Sequence, residues 1–202
     1  TLDINNRHFT VHYDGNKITN TFNNVERSVS GDKHWDDADD QDGVRPGEVT
    51  FKLFANGVDT GRTAKATKAN HWHYEFSGLD TYDEDAAVIN YTVKEVPVEK
   101  YTADQNGYDF TNKHVPYTRT VKVTKNWKND TAANRPASIT VRLKADGNEV
   151  ETKTVSPDSD GNWTVDFENL PVNKNGKEIK YTVTEDEVQK YNVEYSGNMD
   201  DG

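Results

Sequence analysis

The chain has 202 residues, and 24 Lys and Arg residues against 35 Asp and Glu residues give it a formal net charge of −11. This balance excludes a nucleic-acid binder, because contact with phosphate backbones needs clustered positive charge. With a mean hydropathy of −1.01 and no cysteine, the sequence predicts no transmembrane helix, signal-peptide core, disulfide or thiolate metal site.

The first predicted element is the closing strand of a repeat, because 9–20 aligns with 101–112 at an offset of 92 residues. Later motifs recur in the same order and indicate tandem domains. They pair 31–35 with 123–127, 45–46 with 135–136, 71–76 with 162–167, and 91–95 with 181–185. The predicted domains are the terminal strand of a preceding repeat at 1–26, a complete domain at 27–117, and a second domain at 118–202 that lacks its last strand.

Apolar residues alternate with a period of two inside each repeat, as half-buried strands require. The clearest runs are Val49, Phe51, Leu53; Trp72, Tyr74, Phe76; Ile139, Val141, Leu143; and Trp163, Val165, Phe167. Tight hairpin turns are predicted where residues that accept positive φ occur together, at Asn56-Gly57, Asn106-Gly107 and Asp146-Gly147. Short strands with frequent turns predict an all-β fold with one β-sandwich in each repeat.

Three polar residue types lie in the apolar register of these strands, at equivalent positions of the repeats. They are the lysines Lys33 and Lys125, the glutamates Glu95 and Glu185, and the asparagines Asn112 and Asn20. We expect all of these side chains to point inward. The sequence stops before the second full repeat reaches an equivalent asparagine.

A buried Lys–Glu salt bridge with Asn as its hydrogen-bond partner is the simpler interpretation, although buried ion pairs are weak stabilisers. The sharper interpretation is an amide bond that forms spontaneously between the lysine amine and the asparagine carboxamide. Burial lowers the pKa of a lysine and raises that of a glutamate, so an apolar core can hold a neutral amine beside a protonated acid. The amine then attacks the carboxamide carbon, the acid polarises its oxygen, and ammonia leaves.

The segments GDKHWDD (31–37), DGVRP (42–46), YTVKE (91–95) and FTN (110–112) closely resemble B-repeat domains of the Cna B type, known from Gram-positive surface adhesins. The resemblance covers nearly the whole chain and implies two tandem inverse immunoglobulin-like sandwiches, preceded by an orphan terminal strand. It further implies an isopeptide bond from Lys33 to Asn112, promoted by Glu95. By position, Lys125 and Glu185 await an asparagine, and Asn20 is the acceptor for a lysine upstream.

Other signals favour plain structural roles. The acidic run 36–43 is similar to a calcium loop, but placing Gly43 at the required sixth position puts Ala38 where the first ligand should be, so a solvated acidic loop is expected. His71 and His73 share a predicted strand face, but the second repeat has Asn and Thr in their place. The sequence predicts no metal, no cofactor and no turnover enzyme.

The predicted function is a structural stalk module of a bacterial cell-surface adhesin, extracellular and anchored to the cell wall through a segment outside this chain. The alternative is a ligand-binding adhesin domain that contacts a host extracellular-matrix protein directly. A glycan-binding or glycan-cleaving sandwich that uses Trp72 or Trp163 is disfavoured, because both alternate with core residues. Expected partners are neighbouring repeats and, through another domain of the parent protein, a host extracellular-matrix protein. The orphan strand also allows head-to-tail strand complementation with a second chain, although truncation of a longer protein explains the strand more simply. Nucleic acid and membrane are not expected partners.

Overall fold

A computed structural model describes residues 2–4 and 7–197, which fold mainly into β-strands with two short 3-10 turns at Lys68–Asn70 and Ala132–Asn134. In the part of the chain that is described, no helix is long and apolar enough to cross a membrane. The strands are β1 (Leu2–Ile4), β2 (Arg7–Asp14), β3 (Lys17–Asn23), β4 (Glu26–Asp36), β5 (Glu48–Ala55), β6 (Val58–Thr67), β7 (His73–Asp80), β8 (Tyr91–Glu95), β9 (Thr102–Asn106), β10 (Asp109–Lys113), β11 (Thr118–Lys125), β12 (Ile139–Ala145), β13 (Asn148–Val155), β14 (Trp163–Pro171), β15 (Asn173–Lys174), β16 (Lys177–Glu178) and β17 (Tyr181–Glu185).

The chain divides into two compact units, here called the first and the second unit. The first comprises Thr1–Asp37 and Arg45–His114, and the second comprises Ala38–Val44 and Val115–Gly202. Each unit has its own hydrophobic core of strand residues. The all-β class and the tandem sandwiches expected from the sequence are confirmed.

The sandwich of the first unit consists of two sheets with the strand orders β7-β4-β10-β9 and β6-β5-β8. The strands β4 and β10 lie side by side and run parallel, with Phe110 opposite Lys33 and Asn112 opposite Trp35. This pairing brings the beginning and the end of the repeat into one sheet, next to each other.

The second unit follows the same plan, with the strand orders β11-β14 and β13-β12-β17 and a short β15-β16 ladder. Val141 lies opposite Glu185 in this unit, as Phe51 lies opposite Glu95 in the first. Within residues 2–4 and 7–197, β11 pairs with a strand on one edge alone, whereas β4 is paired on both edges.

A separate antiparallel sheet contains β1, β2 and β3. In its hairpin β2–β3, Val11 lies opposite Asn20, and in the hairpin β9–β10, Ala103 lies opposite Asn112. The two hairpins therefore share one register at the offset of 92 residues found in the sequence. The segment predicted as a single closing strand is a complete hairpin.

The predicted alternation is confirmed for most of the strands. Val49, Phe51 and Leu53 are buried in β5, and all three predicted core residues of β12 are buried as well. The predicted hairpin turns join β5 to β6, β9 to β10 and β12 to β13.

Trp72 departs from the predicted pattern. The 3-10 turn before it places His71 and Trp72 in left-handed conformations, with φ of 56° and 61°, and β7 begins only at His73. The prediction that His71 and His73 share a strand face is therefore wrong. Tyr74 and Phe76, which follow within β7, are buried as predicted.

Candidate functional site

Lys33 extends from β4 into the core of the first unit. Buried and exposed residues alternate along β4 from Val29 to Lys33, because successive side chains of a strand face opposite sides. The Lys33 side chain is 0% exposed, and its Nζ lies 3.4 Å from Glu95 Oε2. The Nζ also donates a hydrogen bond of 3.1 Å to the carbonyl oxygen of His34. The inward direction predicted for Lys33 is confirmed.

Glu95 and Asn112 reach the same point from two other strands. Glu95 ends β8 in the other sheet, and Asn112 lies in β10, beside β4. The Nδ2 of Asn112 donates a hydrogen bond of 2.7 Å to Glu95 Oε1, and the residue is 1% exposed. Among the described residues, Asn112 Oδ1 finds no hydrogen-bond partner. Glu95 therefore contacts both the lysine amine and the carboxamide.

The amine of Lys33 is more acidic than an ordinary lysine. Burial lowers its pKa from 10.5 to about 8, because removal from water disfavours the ammonium form. The negative charges of Glu95 and Asp37 act in the opposite direction and are smaller effects. At pH 7 a pKa of about 8 leaves roughly a tenth of the amine neutral. A neutral amine beside a carboxamide and a carboxyl group is the arrangement that nucleophilic amide exchange needs.

The second unit contains the equivalent pair. Lys125 Nζ donates a hydrogen bond of 2.7 Å to Glu185 Oε2, and the two side chains are 17% and 7% exposed. Both point inward as predicted, although Lys125 is less completely buried than Lys33. Glu185 Oε1 is buried and has no hydrogen-bond partner among the described residues. It is the oxygen that, in Glu95, accepts the hydrogen bond from the asparagine.

Asn20 does not lie in a core. It occupies β3 with an exposed side chain, and Ile18, two residues before it, is 63% exposed. The predicted inward direction is therefore wrong for Asn20, because among the described strands none forms a second sheet over that face of β3. Its role as an acceptor of an isopeptide bond stays a prediction.

An aromatic group that the sequence analysis did not assign covers the amine of Lys33. The ring centroid of Trp35 lies 4.5 Å from Lys33 Nζ. Trp72 and Tyr101 pack edge-on against Trp35, each with its ring centroid 5.0 Å away and at an interplanar angle of 72°. Three aromatic rings thus close the core beside the amine.

The ion pair between Arg45 and Asp37 contacts two of these rings, Trp35 and Tyr101. The guanidinium of Arg45 donates hydrogen bonds of 2.6 and 3.0 Å to Asp37, and Tyr101 Oη donates one of 2.9 Å to the same carboxylate. The Arg45 guanidinium also stacks over Trp35, 5.3 Å from the ring centroid. We call Trp35, Asp37, Arg45 and Tyr101 together the clamp.

The second unit repeats the clamp with Trp127, Asp130, Arg135 and Tyr191. Arg135 donates hydrogen bonds of 2.9 and 3.0 Å to Asp130, and Tyr191 donates one of 3.1 Å. The bond from Arg135 holds the pKa of the Asp130 carboxyl below its ordinary value. The repeated Arg-Pro motif was the available sequence signal. The equivalence of Asp37 and Asp130 could not be recognised from the sequence, because the loop between aspartate and arginine differs in length between the repeats.

The expected solvated acidic loop is partly wrong, since Asp37 and Asp42 are buried at 2% and 7% exposure. Asp37 serves the clamp. His73 is half exposed, and its Nδ1 lies 2.7 Å from Asp32 Oδ1. Across residues 2–4 and 7–197, no group of three or more His, Asp or Glu side chains is placed to hold a metal ion.

Comparison with known proteins places these features in a family. Residues 29–113 and 121–202 each match the Cna protein B-type domain. The chain is 37% identical over 197 residues to a collagen adhesin of Staphylococcus aureus, which covers 94% of this chain and 16% of that protein. A crystal structure of two B repeat units (B1B2) of the collagen binding protein of the same species matches with a TM-score of 0.73 and 36% identity, over 94% of this chain and 52% of that one. The chain thus spans a small part of the curated relative and about half of the solved one.

Proposed function

Because the chain belongs to the family of Cna protein B-type domains, we propose that it is a stalk module of a bacterial surface adhesin whose first unit is locked by an isopeptide bond. The bond joins Lys33 Nζ to the side-chain carbon of Asn112. The convergence of amine, acid and carboxamide at one buried point of the first unit carries the proposal.

The reaction balances within the three side chains. The ammonium of Lys33 passes one proton to Glu95, and the neutral amine attacks the carboxamide carbon of Asn112. The bond from Lys33 Nζ to that carbon forms, and the bond from the carbon to Nδ2 breaks. The departing nitrogen takes a second proton from the former amine and leaves as ammonia, while the first proton stays on Glu95.

Glu95 is placed for both proton transfers. Its Oε2 faces the amine, and its Oε1 faces Nδ2, the leaving nitrogen. When Glu95 is ionised it accepts a hydrogen bond from Nδ2, as here. Once it carries the proton, a half-turn of the carboxamide presents Oδ1, the atom that lacks a partner, to the acid. The protonated acid then polarises the carbonyl that the amine attacks.

The bond would change how the first unit carries load. It connects β4 to β10, which are neighbouring parallel strands at the two ends of the repeat. Tension that enters through β4 then passes to β10 through covalent bonds and bypasses the hydrogen-bonded sandwich. Such a module resists extension and proteolysis, which suits an exposed stalk on a cell surface. It performs one reaction, on itself, and is not a turnover enzyme.

For the second unit we propose that Lys125 takes its asparagine from a hairpin of another copy of this chain. The hairpin β2–β3 has the register of β9–β10 and presents Asn20 where the latter presents Asn112. The unpaired edge of β11 and the orphaned Glu185 Oε1 are the features that such a strand would satisfy. The product is a head-to-tail, covalently joined oligomer.

In the parent protein, the partners of these units are neighbouring repeats, and the location is the cell wall. The words collagen adhesin describe the relative, of which this chain covers 16%. We assign any binding to an extracellular-matrix protein to other domains of the parent. The competing function, direct binding by these units, predicts that the isolated chain is retained on immobilised collagen.

The decisive experiment is the intact mass of the purified chain under denaturing conditions. We expect the unchanged chain to weigh one ammonia less than its sequence requires. Lys33→Ala, Glu95→Gln and Asn112→Ala should each restore the full mass. Lys125→Ala is the matched control from the second unit, and its monomer should keep the deficit. A full mass for the unchanged chain would reduce the cluster to a buried ion pair and remove the proposal.

The intermolecular bond is measured in the same spectra. A covalent dimer or larger species should lack one ammonia for each chain, from the bond within its first unit, and one more for each junction between chains. They should disappear in Lys125→Ala and in Asn20→Ala, while the deficit within each first unit remains. A chain that stays monomeric in light scattering at every concentration, with no covalent multimer, would contradict the joining of copies.

A further inference from the structure

We propose that the clamp is a positioning device for the cross-linking reaction, in which Arg45 neutralises the Asp37 carboxylate beside the amine of Lys33 while both hold Trp35 over that amine. This inference rests on the proposed function. It assigns a role in the reaction to residues other than the amine, the acid and the carboxamide that react.

The first support is the geometry around the amine. Asp37 directly follows β4, four residues after Lys33, and its side chain is 1% exposed. A carboxylate buried this close to a lysine favours the ammonium form, which is not the nucleophile. Arg45, held to Asp37 by two hydrogen bonds, supplies the opposing charge. Without the positive charge of Arg45, the buried Asp37 would reduce the neutral fraction of the amine further.

The second support is the repetition of the clamp. The second unit builds it around Lys125 with the same residue types, and its ring-to-amine distance of 4.7 Å matches the 4.5 Å of the first unit. In that unit no carboxamide contacts Glu185 Oε1 among the described residues. The clamp therefore forms without a bonded asparagine and belongs to the lysine. This is the order of events that a device preparing the amine requires.

Several groups determine the charge of the Lys33 amine, and the test must separate them. Glu95 contacts the amine from β8, and Trp35 covers it. The negative charge of Asp37, just after β4, raises the pKa of the amine, and Arg45 is bound to Asp37. Tyr101 packs on Trp35, and its hydroxyl donates a hydrogen bond to Asp37. His114 packs on Tyr101, 5.5 Å between ring centroids, and its titration is monitored in parallel.

The direct measurement is the titration of Lys33 in an Asn112→Ala chain, in which the bond cannot form. With lysine labelled at Cε, the chemical shift of Lys33 should report a pKa of about 8. Adding Arg45→Gln should raise that pKa by roughly half to one unit, because the positive charge of Arg45 no longer opposes the negative charge of Asp37. The further change Asp37→Asn removes the charge and should return the pKa to its starting value or below. This rescue is not expected of a purely structural ion pair.

The kinetic measurement uses the full chain made by cell-free synthesis, with intact mass followed over time at neutral pH. Arg45→Gln should slow the loss of ammonia by about three- to tenfold, in proportion to the fraction of neutral amine. The double variant Asp37→Asn/Arg45→Gln should recover most of the rate. Arg135→Gln, the same change in the second unit, should leave the rate within the first unit unchanged.

The outcomes separate the two proposals. If the Lys33 titration is the same with and without Arg45, the clamp is only a packing feature, whatever the mass shows. If the double variant is slower than Arg45→Gln, packing again explains the effect and the charge argument is wrong. If the unchanged chain loses no ammonia, the isopeptide proposal fails and takes the reaction role of the clamp with it, even where Arg45 shifts the titration.

Discussion

The main difference between the two lysine sites of this chain is the asparagine, and in the proposed reaction this difference separates the preparation of the amine from the supply of the carboxamide. Each site has a lysine on the first strand of its unit, a glutamate on the opposite sheet and the clamp beside the amine. The first site alone brings an asparagine to the glutamate within the described residues. The lysine, the glutamate and the clamp are therefore common to both sandwiches, whereas in the first unit the asparagine lies on a separate hairpin, β9–β10.

A second difference lies two residues before each lysine, where the first unit has Gly31 and the second has Val123. A Cβ atom on Gly31 would collide with the backbone carbonyl of Tyr108 and lie 2.9 Å from Tyr74 Oη. Tyr74 Oη donates a hydrogen bond of 2.5 Å to that same carbonyl. Gly31 thus lets the hairpin β9–β10 approach β4 closely.

The largest expected effect follows from this comparison. Gly31→Val gives the first unit the residue of the second, and we expect it to displace the hairpin that carries Asn112. Most of the ammonia deficit should then be lost, and trypsin should cleave after Lys100 and Lys113, at the two ends of the hairpin. Gly47→Ala is a suitable control, because a Cβ there meets nothing within 4 Å. A full deficit in Gly31→Val would show that the hairpin docks without this close approach.

The converse change sharpens the proposal for the second unit. A hairpin delivered to β11 meets Val123 at the point where β9–β10 meets Gly31. Val123→Gly should therefore raise the yield of covalent multimers joined through Lys125, as measured by denaturing electrophoresis and intact mass. An unchanged or lower yield would mean that the incoming hairpin lies differently from β9–β10.

Loss of the bond itself is the next largest effect. The proposed bond between Lys33 and Asn112 would close a loop of 79 sequence positions (112 − 33). Asn112→Ala should lower the free energy of unfolding of the first unit by about 4–5 kcal/mol, by the chain-entropy estimate for a cross-link of this span. Hydrogen exchange at increasing denaturant concentration measures the unfolding free energy of each unit separately. The second unit, in which no described carboxamide contacts Glu185 Oε1, should unfold at the same denaturant concentration before and after the change.

Much of this arrangement could be predicted from the sequence, because strands translate a period of two directly into inward and outward faces. The inward positions of Lys33, Glu95 and Asn112 followed from that alternation and are confirmed. Asn20 has the same pattern but lies exposed, since burial depends on a second sheet that local sequence does not specify.

The clamp could not be predicted in the same way. Its aspartates lie in loops, where no periodicity applies. The number of residues between Asp37 and Arg45 also differs from the number between Asp130 and Arg135. Because the loops differ in length, the sequence alignment did not pair the two aspartates, although they bind equivalent arginines in the structure. Trp72 was wrongly predicted to lie in the strand with Tyr74 and Phe76. The short turn before it has a left-handed backbone, which a pattern of apolar residues does not indicate.

Matched core substitutions should have smaller effects that are alike in the two units. Leu53 and Leu143 are both 0% exposed and lie at equivalent positions of β5 and β12. Changing either to alanine should cost about 2–5 kcal/mol of unfolding free energy in its own unit. Calorimetry of the two variants should show one transition moved in each case. A Leu53→Ala loss that disappears in the Asn112→Ala background would mean that the bond, and not the core, sets the response.

The smallest expected effect is a pH dependence confined to the first unit. In an Asn112→Ala chain, Lys33 keeps a folded pKa of about 8 against 10.5 for an ordinary lysine. Between these values the unfolded chain binds more protons than the folded one, so the unfolding free energy should rise with pH from about 8 upward. Below pH 8 both states are protonated, and this contribution is constant. Tyr74, whose pKa burial raises, acts in the opposite sense once an ordinary tyrosine ionises near pH 10, so the clean interval ends below that.

The control for this interval is the double variant Lys33→Ala/Asn112→Ala, measured by denaturant titration at each pH. Without the buried amine, the rise should vanish while the absolute stability changes for other reasons. A rise that persists without Lys33 would assign the proton release to another group of the first unit. A flat profile in Asn112→Ala itself would mean that the amine of Lys33 is no more acidic than one in water, and the nucleophile proposed for the cross-link would then be almost entirely protonated at neutral pH.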